Sequence, residues 1–439
     1  MSMRYVQIAC SNKPSDNKVS NHKGISEMIF QIPEMDAFVD PKSIRLCGSI
    51  RCYKDDTLAS LAGSKMMMDA RLGVYSVINM VTTSSLRHQT TIEQTRNFNR
   101  MMSSILPLSN SLGDFQSHMN NTAGTSPAVE QTKASLTQFN ADTHFALALP
   151  TGFLSGGNVP LSSTFGIGGL QISCFLENDS QVFFASDGTA DEAGCFYEIT
   201  NPHLVCEVMT PSPDVLAQLM KRASGQLTYQ SVSSYYDTIS STNAQINFNL
   251  GLSKVRSAFV NFIDSSQLNN INTNGLATLM PTRDTGTGGD ISNVTEYQFL
   301  KGGTQFPKLY PETLNVRDVP LTSVCDPATI RDYVSAVVPF NKNTMSSITA
   351  ANSNRNWQLV PSATSLIDGS PYLLADGGLC WGLGVSYDSL GGMGSSFLSE
   401  NWGLNMNLDG SDGNVQSAFI FVNSEQSLVF NANGVQVLK

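Results

Sequence analysis

The sequence predicts a mainly β protein: two β-sandwich domains in tandem, with a few short helices. Three observations predict it. Several segments alternate apolar and polar residues with a period of two, the mark of strands with one dry face and one wet face. Charged residues make up 14% of the chain and hydrophobic residues 41%; Ser, Asn, Thr, Gln and Gly fill the difference, a mix suited to strands, turns and long loops. The 439 residues exceed one ordinary core, so two units of roughly 200 residues are expected.

Residues 1–25 read as a polar N-terminal arm. Ser11 to Gly24 carries Lys13, Lys18 and Lys23 among polar residues, which fits a mobile tail better than a nucleic-acid arm. The net charge of −10, from 26 basic and 36 acidic residues, also argues against a chain built to grip phosphates. Residues 26–211 form the first domain of this reading. Met28–Ile32 is a strand. In Ser43 to Tyr53, Ile44, Leu46, Ile50 and Cys52 share one face, and Arg45, Cys47, Ser49, Arg51 and Tyr53 share the other. Thr90-Thr91-Ile92-Glu93 reads as a capping box. Behind it, Ile92, Thr95, Phe98, Met101, Met102 and Ile105 recur at helical spacing until Pro107 stops the run. Phe145–Leu149, Gln171–Phe175 and Leu204–Val208 are further strands.

Residues 212–225 read as a linker helix. Ser212 is the N-cap, Pro213 the first helical residue and Asp214 a first-turn acid. Val215, Leu216, Leu219 and Met220 form one apolar stripe, Lys221 and Arg222 lie near the C-terminal end, and Gly225 is placed to close the helix in the left-handed conformation. Residues 226–439 form the second domain. Ile246, Phe248, Leu250 and Leu252 alternate along one strand, and Ala418–Val422 is another. A helix is expected from Asp326-Pro327 through Ile330, Tyr333, Val334 and Val337 to Pro339. Leu428–Phe430 and Val435–Leu438 flank a turn carrying Asn433-Gly434, a hairpin signal. The polar stretches Leu108–Ser135 and Gln267–Ser292 are too long and too polar for a core, so they are expected as loops at the ends of the sandwiches.

The eight cysteines, at 10, 47, 52, 174, 195, 206, 325 and 380, show no CxxC spacing. Free thiols in a reducing compartment are expected, rather than a disulfide framework or a zinc site. Met1 to Cys10 lacks the apolar core of a signal peptide, and no apolar run approaches a membrane span. A soluble protein assembled in the cytosol or nucleus is the expectation.

The search for chemistry returns no catalytic, cofactor-binding or metal-ligating residue. Asp284-Thr285-Gly286 matches the aspartic-protease triplet, but those enzymes need two carboxylates sharing a proton, and there is no second triplet and no apolar strand leading in. The glycine-rich runs Phe165–Leu170 and Gly391–Ser396 lack a Walker lysine and read as turns. The five histidines are scattered, without a pair at i,i+4. Asn407 to Asn414 has oxygen ligands but not the spacing of a calcium loop. Met66-Met67-Met68 and Met101-Met102 read as core filler.

The order and texture of several segments carry a resemblance. "EMIFQIP" precedes "IRLCGSIRCY"; "GVYSVINMVTTSS" runs into "TIEQTRNFNRMM". "YEITNPHLVCEV" ends the first half, and "SAFIFVNSEQSLVFNANGVQVL" ends the chain. Together they resemble the double jelly-roll major capsid proteins of polinton-like viruses, virophages and larger DNA viruses, over roughly Ser26 to the C-terminus. The resemblance implies two tandem eight-stranded jelly rolls, with the linker helix at their join. It implies a pseudo-hexagonal homotrimer, neighbouring capsomers tiling an icosahedral shell, and interstrand loops forming outer towers. Penton and minor capsid proteins are the further implied partners. The implied location is the virion, after assembly in the host cytoplasm or nucleus. No cofactor and no direct sequence-specific nucleic-acid binding are implied, and there is room for an internal membrane beneath the shell.

A binding module is the alternative: a lectin-like or receptor-binding β-sandwich of a spike or minor virion protein. It would need an aromatic cluster, and the candidates Trp357, Trp381 and Trp402 all fall in the second half, where core or interface packing also accounts for them. A β-sandwich hydrolase lacks a candidate acid–base pair.

Overall fold

The computed structural model describes residues 2–54, 66–69, 72–109, 142–185, 194–222, 224–272, 275–276, 294–306, 332–333, 335–337, 340, 383–387, 394–408, 416–431 and 434–439. The first half supplies β1 (Ser2–Ala9), β2 (Lys18–Val19), β3 (Glu27–Ile32) and β4 (Phe38–Tyr53). Then come β5 (Met66–Met67), β6 (Ile78–Ser85), β7 (Thr91–Thr95) and β8 (Thr143–Ala148). β9 (Val159–Pro160), β10 (Leu170–Leu176), β11 (Phe184–Ala185) and β12 (Phe196–Thr210) complete that half. The second half supplies β13 (Ser224–Ile239), β14 (Asn243–Asn249), β15 (Val255–Asp264) and β16 (Val294–Lys301). β17 (Thr304–Phe306), β18 (Leu383–Ser386), β19 (Asn401–Leu408), β20 (Gln416–Asn431) and β21 (Gly434–Leu438) follow. Among the described residues three α-helices have full bounds: α1 (Phe98–Ser109), the single turn α2 (Asp179–Val182) and α3 (Pro213–Arg222).

One topology is used twice. The first half has a sheet ordered β1-β12-β4-β8 and a facing sheet ordered β3-β10-β6-β7. The second half has β13-β20-β15-β18 and β14-β19-β16-β17. Counting these principal strands in chain order, each half places its first, eighth, third and sixth strands in one sheet. The second, seventh, fourth and fifth make the other. That is the jelly-roll order, and all the pairings are antiparallel. β2 and β9 extend the first large sheet and β21 the second, while β5 and β11 pair separately.

The period-two pattern explains why the sheets face each other. Ile44, Leu46, Ile50 and Cys52 are buried on β4, as the alternation requires, and meet Phe30, Ile32, Val81, Ile172 and Cys174 from the facing sheet in one core. In the second half Ile246, Leu250 and Leu252 are buried along and just beyond β14. There Trp402 is fully buried beside Phe248 and Phe299, with ring centroids 6.2 and 5.8 Å away. Such large buried rings dominate the packing energy of a sandwich.

Register fixes which strand ends lie together. Tyr53 pairs with Phe196 and Ile50 with Thr143. Ile239 and Asp264 both pair with Gln416, and Val294 pairs with Leu408. Segments 55–65, 110–141, 186–193, 277–293 and 409–415, which lie outside the described residues, join the chain at this end. The opposite end holds the pairs Ser2–Thr210 and Ser224–Asn431, helix α3, and the turns at 86–90 and 165–169. Each roll therefore has a loop end, where these segments join, and a linker end.

Four expectations are corrected. Residues 1–25 are not a free arm. β1 pairs with β12 from Ser2–Thr210 to Ala9–His203, and β2 pairs with Ile199 and Thr200. Lys18 lies 2.7 Å from the buried Glu198 carboxylate, and Lys23 holds its other oxygen. Burial alone would raise the Glu198 carboxyl, but the two lysines hold it below its ordinary value. The capping box is not one: Thr91–Thr95 is a strand paired with Val81–Ser84, and the helix starts only at Phe98. Pro107 does not stop that helix, which runs to Ser109. Gly225 is not a helix cap; it sits in β13 opposite Phe430, where a Cβ would come within 2.4 Å of the Phe430 ring. The glycine serves close approach, not a left-handed turn.

Candidate assembly surfaces

Two surfaces matter for a chain built this way: the seam where its own rolls meet, and the faces left for other molecules. Strand β7 and helix α1 carry the first roll's side of the seam. Glu93 is buried and its carboxylate accepts three backbone N–H groups: Gly152 at 3.1 Å, Phe153 at 2.7 Å and Val232 at 2.6 Å. Val232 belongs to β13, so one side chain ties both rolls. Burial pushes the Glu93 carboxyl above the ordinary carboxylate value, and these donors oppose the rise. The Tyr229 hydroxyl donates to Ile92 O at 3.1 Å, and its ring meets Phe153 edge-on at 5.1 Å. Gly152 allows the approach: a Cβ there would stand 2.3 Å from Gln230 O.

Helix α1 adds a polar set along the same seam. Its residues Asn99, Arg100, Ser103 and Ser104 are all buried. The Arg100 guanidinium donates to Gly275 O and, at 2.6 Å, to Gln181 Oε1, and lies 4.3 Å from the centroid of the Phe419 ring. Burial lowers Arg100 to about 10, and the Glu177 carboxylate works against that fall. It therefore stays charged at neutral pH, held by carbonyl oxygens and an aromatic face. Asn261 of β15 donates to Ser104 Oγ at 2.6 Å and accepts from the Tyr333 hydroxyl at 3.0 Å. None of these residues was singled out as functional in the sequence. The usable signal was Glu93, a carboxylate on a strand position that turns inward.

The outward faces carry exposed apolar side chains. Met3 is 64% and Tyr5 76% exposed on the edge strand β1. On α3, Val215 and Met220 are exposed and Leu216 and Leu219 half-buried, so the predicted apolar stripe exists and is only partly covered. Tyr236, Leu398 and Leu438 complete the set among the described residues. An edge strand that pairs on one side only among the described residues and a half-bare helix are places where a second chain can add.

The sequence motifs fall as follows. Phe165–Leu170 is a turn, with Gly168 and Gly169 at positive φ and their N–H groups donating to Ser162 O and Leu161 O. Met66, Met68, Met101 and Met102 are buried core residues. Cys10, Cys52, Cys174 and Cys206 are buried free thiols, Cys195 is buried, and Cys47 is half-buried and free. Asp284-Thr285-Gly286, Asp326-Pro327, Asn433, Trp357 and Trp381 lie outside the described residues, as do residues 409–414 and most of the two long polar stretches. Residues 332–333 and 335–337 are helical, with Tyr333, Ala336 and Val337 buried. Among the described residues no group of three or more His, Cys, Asp and Glu could hold a metal ion, and no helix is long and apolar enough to cross a membrane.

Two jelly rolls in series, closed on each other by a buried polar seam, define a double jelly-roll protein. Solved structures to which the chain is similar include viral capsid proteins. The Faustovirus major capsid protein is similar with a TM-score of 0.59 and 8% identity, covering 98% of this chain and 90% of that one. A chain of the PBCV-1 virus capsid is similar with a TM-score of 0.58 and 8% identity, covering 99% and 96%. A chain of the Sputnik virophage follows with a TM-score of 0.52 and 10% identity, covering 100% and 88%. No family model matches the chain, and no curated protein matches it. The fold is thus shared over nearly the whole length at 8–10% sequence identity.

Proposed function

We propose that this chain is a major capsid protein that self-assembles as pseudo-hexagonal trimers into an icosahedral viral shell. The observation that carries this reading is the duplicated eight-strand topology, matched end to end by capsid proteins. In a trimer, two similar rolls per chain give six similar flanks, the condition for tiling with sixfold neighbours. The division of ends supports an orientation: the loop end outward as towers, and the linker end inward. The rolls serve as the two structural units, with α3 between them. Neighbouring capsomers, penton and minor capsid proteins are the partners of this reading, and the virion is its location. The role is structural and needs no catalytic residue.

Trp402 gives the lectin-like alternative no support, because it is packed in the core instead of standing on a surface. The test is the size of the purified full chain across concentration, by sedimentation and electron microscopy. Trimers and shell fragments are expected. A chain that stays monomeric at high concentration and forms no regular assembly overturns the proposal.

A further inference from the structure

A cavity of about 320 Å³ opens where the two rolls meet. Lys42 and the turn at 152–157 form one wall; β13 residues 228–230, Arg256 and Glu425 form the other. Its lining is rich in donors. Lys42 is exposed and makes no ion pair among the described residues. Ser155 is 7% exposed, and its hydroxyl oxygen is buried with no hydrogen-bond partner among the described residues. At Gly157 a Cβ would meet nothing within 4 Å, so the backbone there is open to the space. The one carboxylate of the lining is already engaged: Glu425 meets Arg256 at 3.0 Å and Lys254 at 2.7 Å. Lys254 and Arg256 thus share the one acid of the lining, and Lys42 adds a further cation to that lining.

We propose that this seam cavity binds a small oxyanion, a phosphate or a carboxylate, between Lys42 of the first roll and Arg256 of the second, with the Ser155 hydroxyl donating to it. Lysine, arginine and hydroxyl donors converging on one space match an anion with several oxygen acceptors. Such a ligand touches both rolls, so it stabilises their docked arrangement by mass action. Two sources share this chemistry: free inorganic phosphate, and an acidic side chain of a second copy of the chain. The site does not depend on the capsid reading.

The test uses the full chain. Inorganic phosphate is titrated calorimetrically and in thermal unfolding, against chloride at matched ionic strength. Saturable binding and a rising unfolding temperature are expected with phosphate alone. Lys42→Ala and Ser155→Ala are each expected to weaken phosphate binding, by about tenfold for the charged donor. Lys42→Ala should unfold at the wild-type temperature in chloride, which separates lost binding from lost folding. Phosphate acting no differently from chloride overturns the proposal, as does wild-type affinity in both variants. Sedimentation separates the sources. If a neighbour's carboxylate is the natural occupant, saturating phosphate and Lys42→Ala both reduce assembly. If free anion is the occupant, assembly is unchanged while the unfolding temperature still rises.

Discussion

Glu93 of the first roll accepts a hydrogen bond from the backbone N–H of Val232 in the second, at 2.6 Å and out of contact with water. The same carboxylate holds Gly152 N–H and Phe153 N–H. A buried acid is costly, and this one is kept because three donors need it.

Replacing Glu93 with Ala leaves those three N–H groups buried and unmatched. At about 1–3 kcal/mol per orphaned group, a loss of at least about 3 kcal/mol is expected. Glu93→Gln retains one acceptor oxygen and should fall between the two. Urea denaturation of the three proteins checks this; a Glu93→Ala protein within about 1 kcal/mol of wild type would show that the seam is held elsewhere.

Two neighbouring glycines should respond in opposite ways. Gly152→Ala forces a methyl to 2.3 Å from Gln230 O and should cost about 1–3 kcal/mol, because the backbone of β13 cannot give way cheaply. Gly157→Ala meets open space and should stay within about 0.5 kcal/mol of wild type. Thermal unfolding of both variants makes the comparison, and equal effects would contradict the close approach.

Asp179 supplies a pH dependence. Burial raises its carboxyl from 3.8 to about 6, with the Tyr197 N–H opposing. Between these values the folded protein holds a proton that the unfolded chain has released. The contribution of this group is therefore full below about pH 4 and is lost as pH rises through about 6. Asp179→Asn removes it. The stability difference between wild type and variant should slope across pH 4 to 6, with wild type relatively weaker at the upper end, and be flat above. A difference that does not change with pH would rule this out. Glu198 and Glu425 run the other way: both are held below their ordinary value, so their contributions are lost as pH falls.

Helix α3 offers a test of assembly apart from folding. Val215 and Met220 are 46% and 41% exposed, so Val215→Asp with Met220→Asp should change monomer stability by about 0.5 kcal/mol or less per site. If another chain covers the helix in the proposed trimer, the double variant should fail to form that trimer while unfolding near the wild-type midpoint. Normal trimers would show that α3 faces solvent in the assembly.

The strands that were legible in the sequence are those with one dry face. Ile44, Leu46 and Ile50 alternate because one side of β4 lies against the facing sheet, and that constraint is written locally. The elements that were misread have their reasons far away in the chain. Thr91-Ile92-Glu93 looks like a cap because Glu at that spacing often reaches back to the start of a helix, but here it reaches Val232, 139 residues on. β1 hides for a different reason: as an edge strand it has Met3 and Tyr5 in the open and no clean alternation to show. Gly225 and Gly152 are needed for what stands opposite them, which no local pattern records. The linker helix was readable because Pro213, the first-turn Asp214 and the apolar stripe are local signals. That its stripe is only partly covered needed the fold.

The separation of the two poles has a lasting effect on how such a molecule can change. Segments 55–65, 186–193 and 409–415 join the chain beside the pairs Tyr53–Phe196 and Ile239–Gln416, so length can be added there without disturbing the cores or the join at Thr210 and Ser224. One pole is free to drift under pressure from whatever it encounters, while the other is bound by the geometry of its own kind.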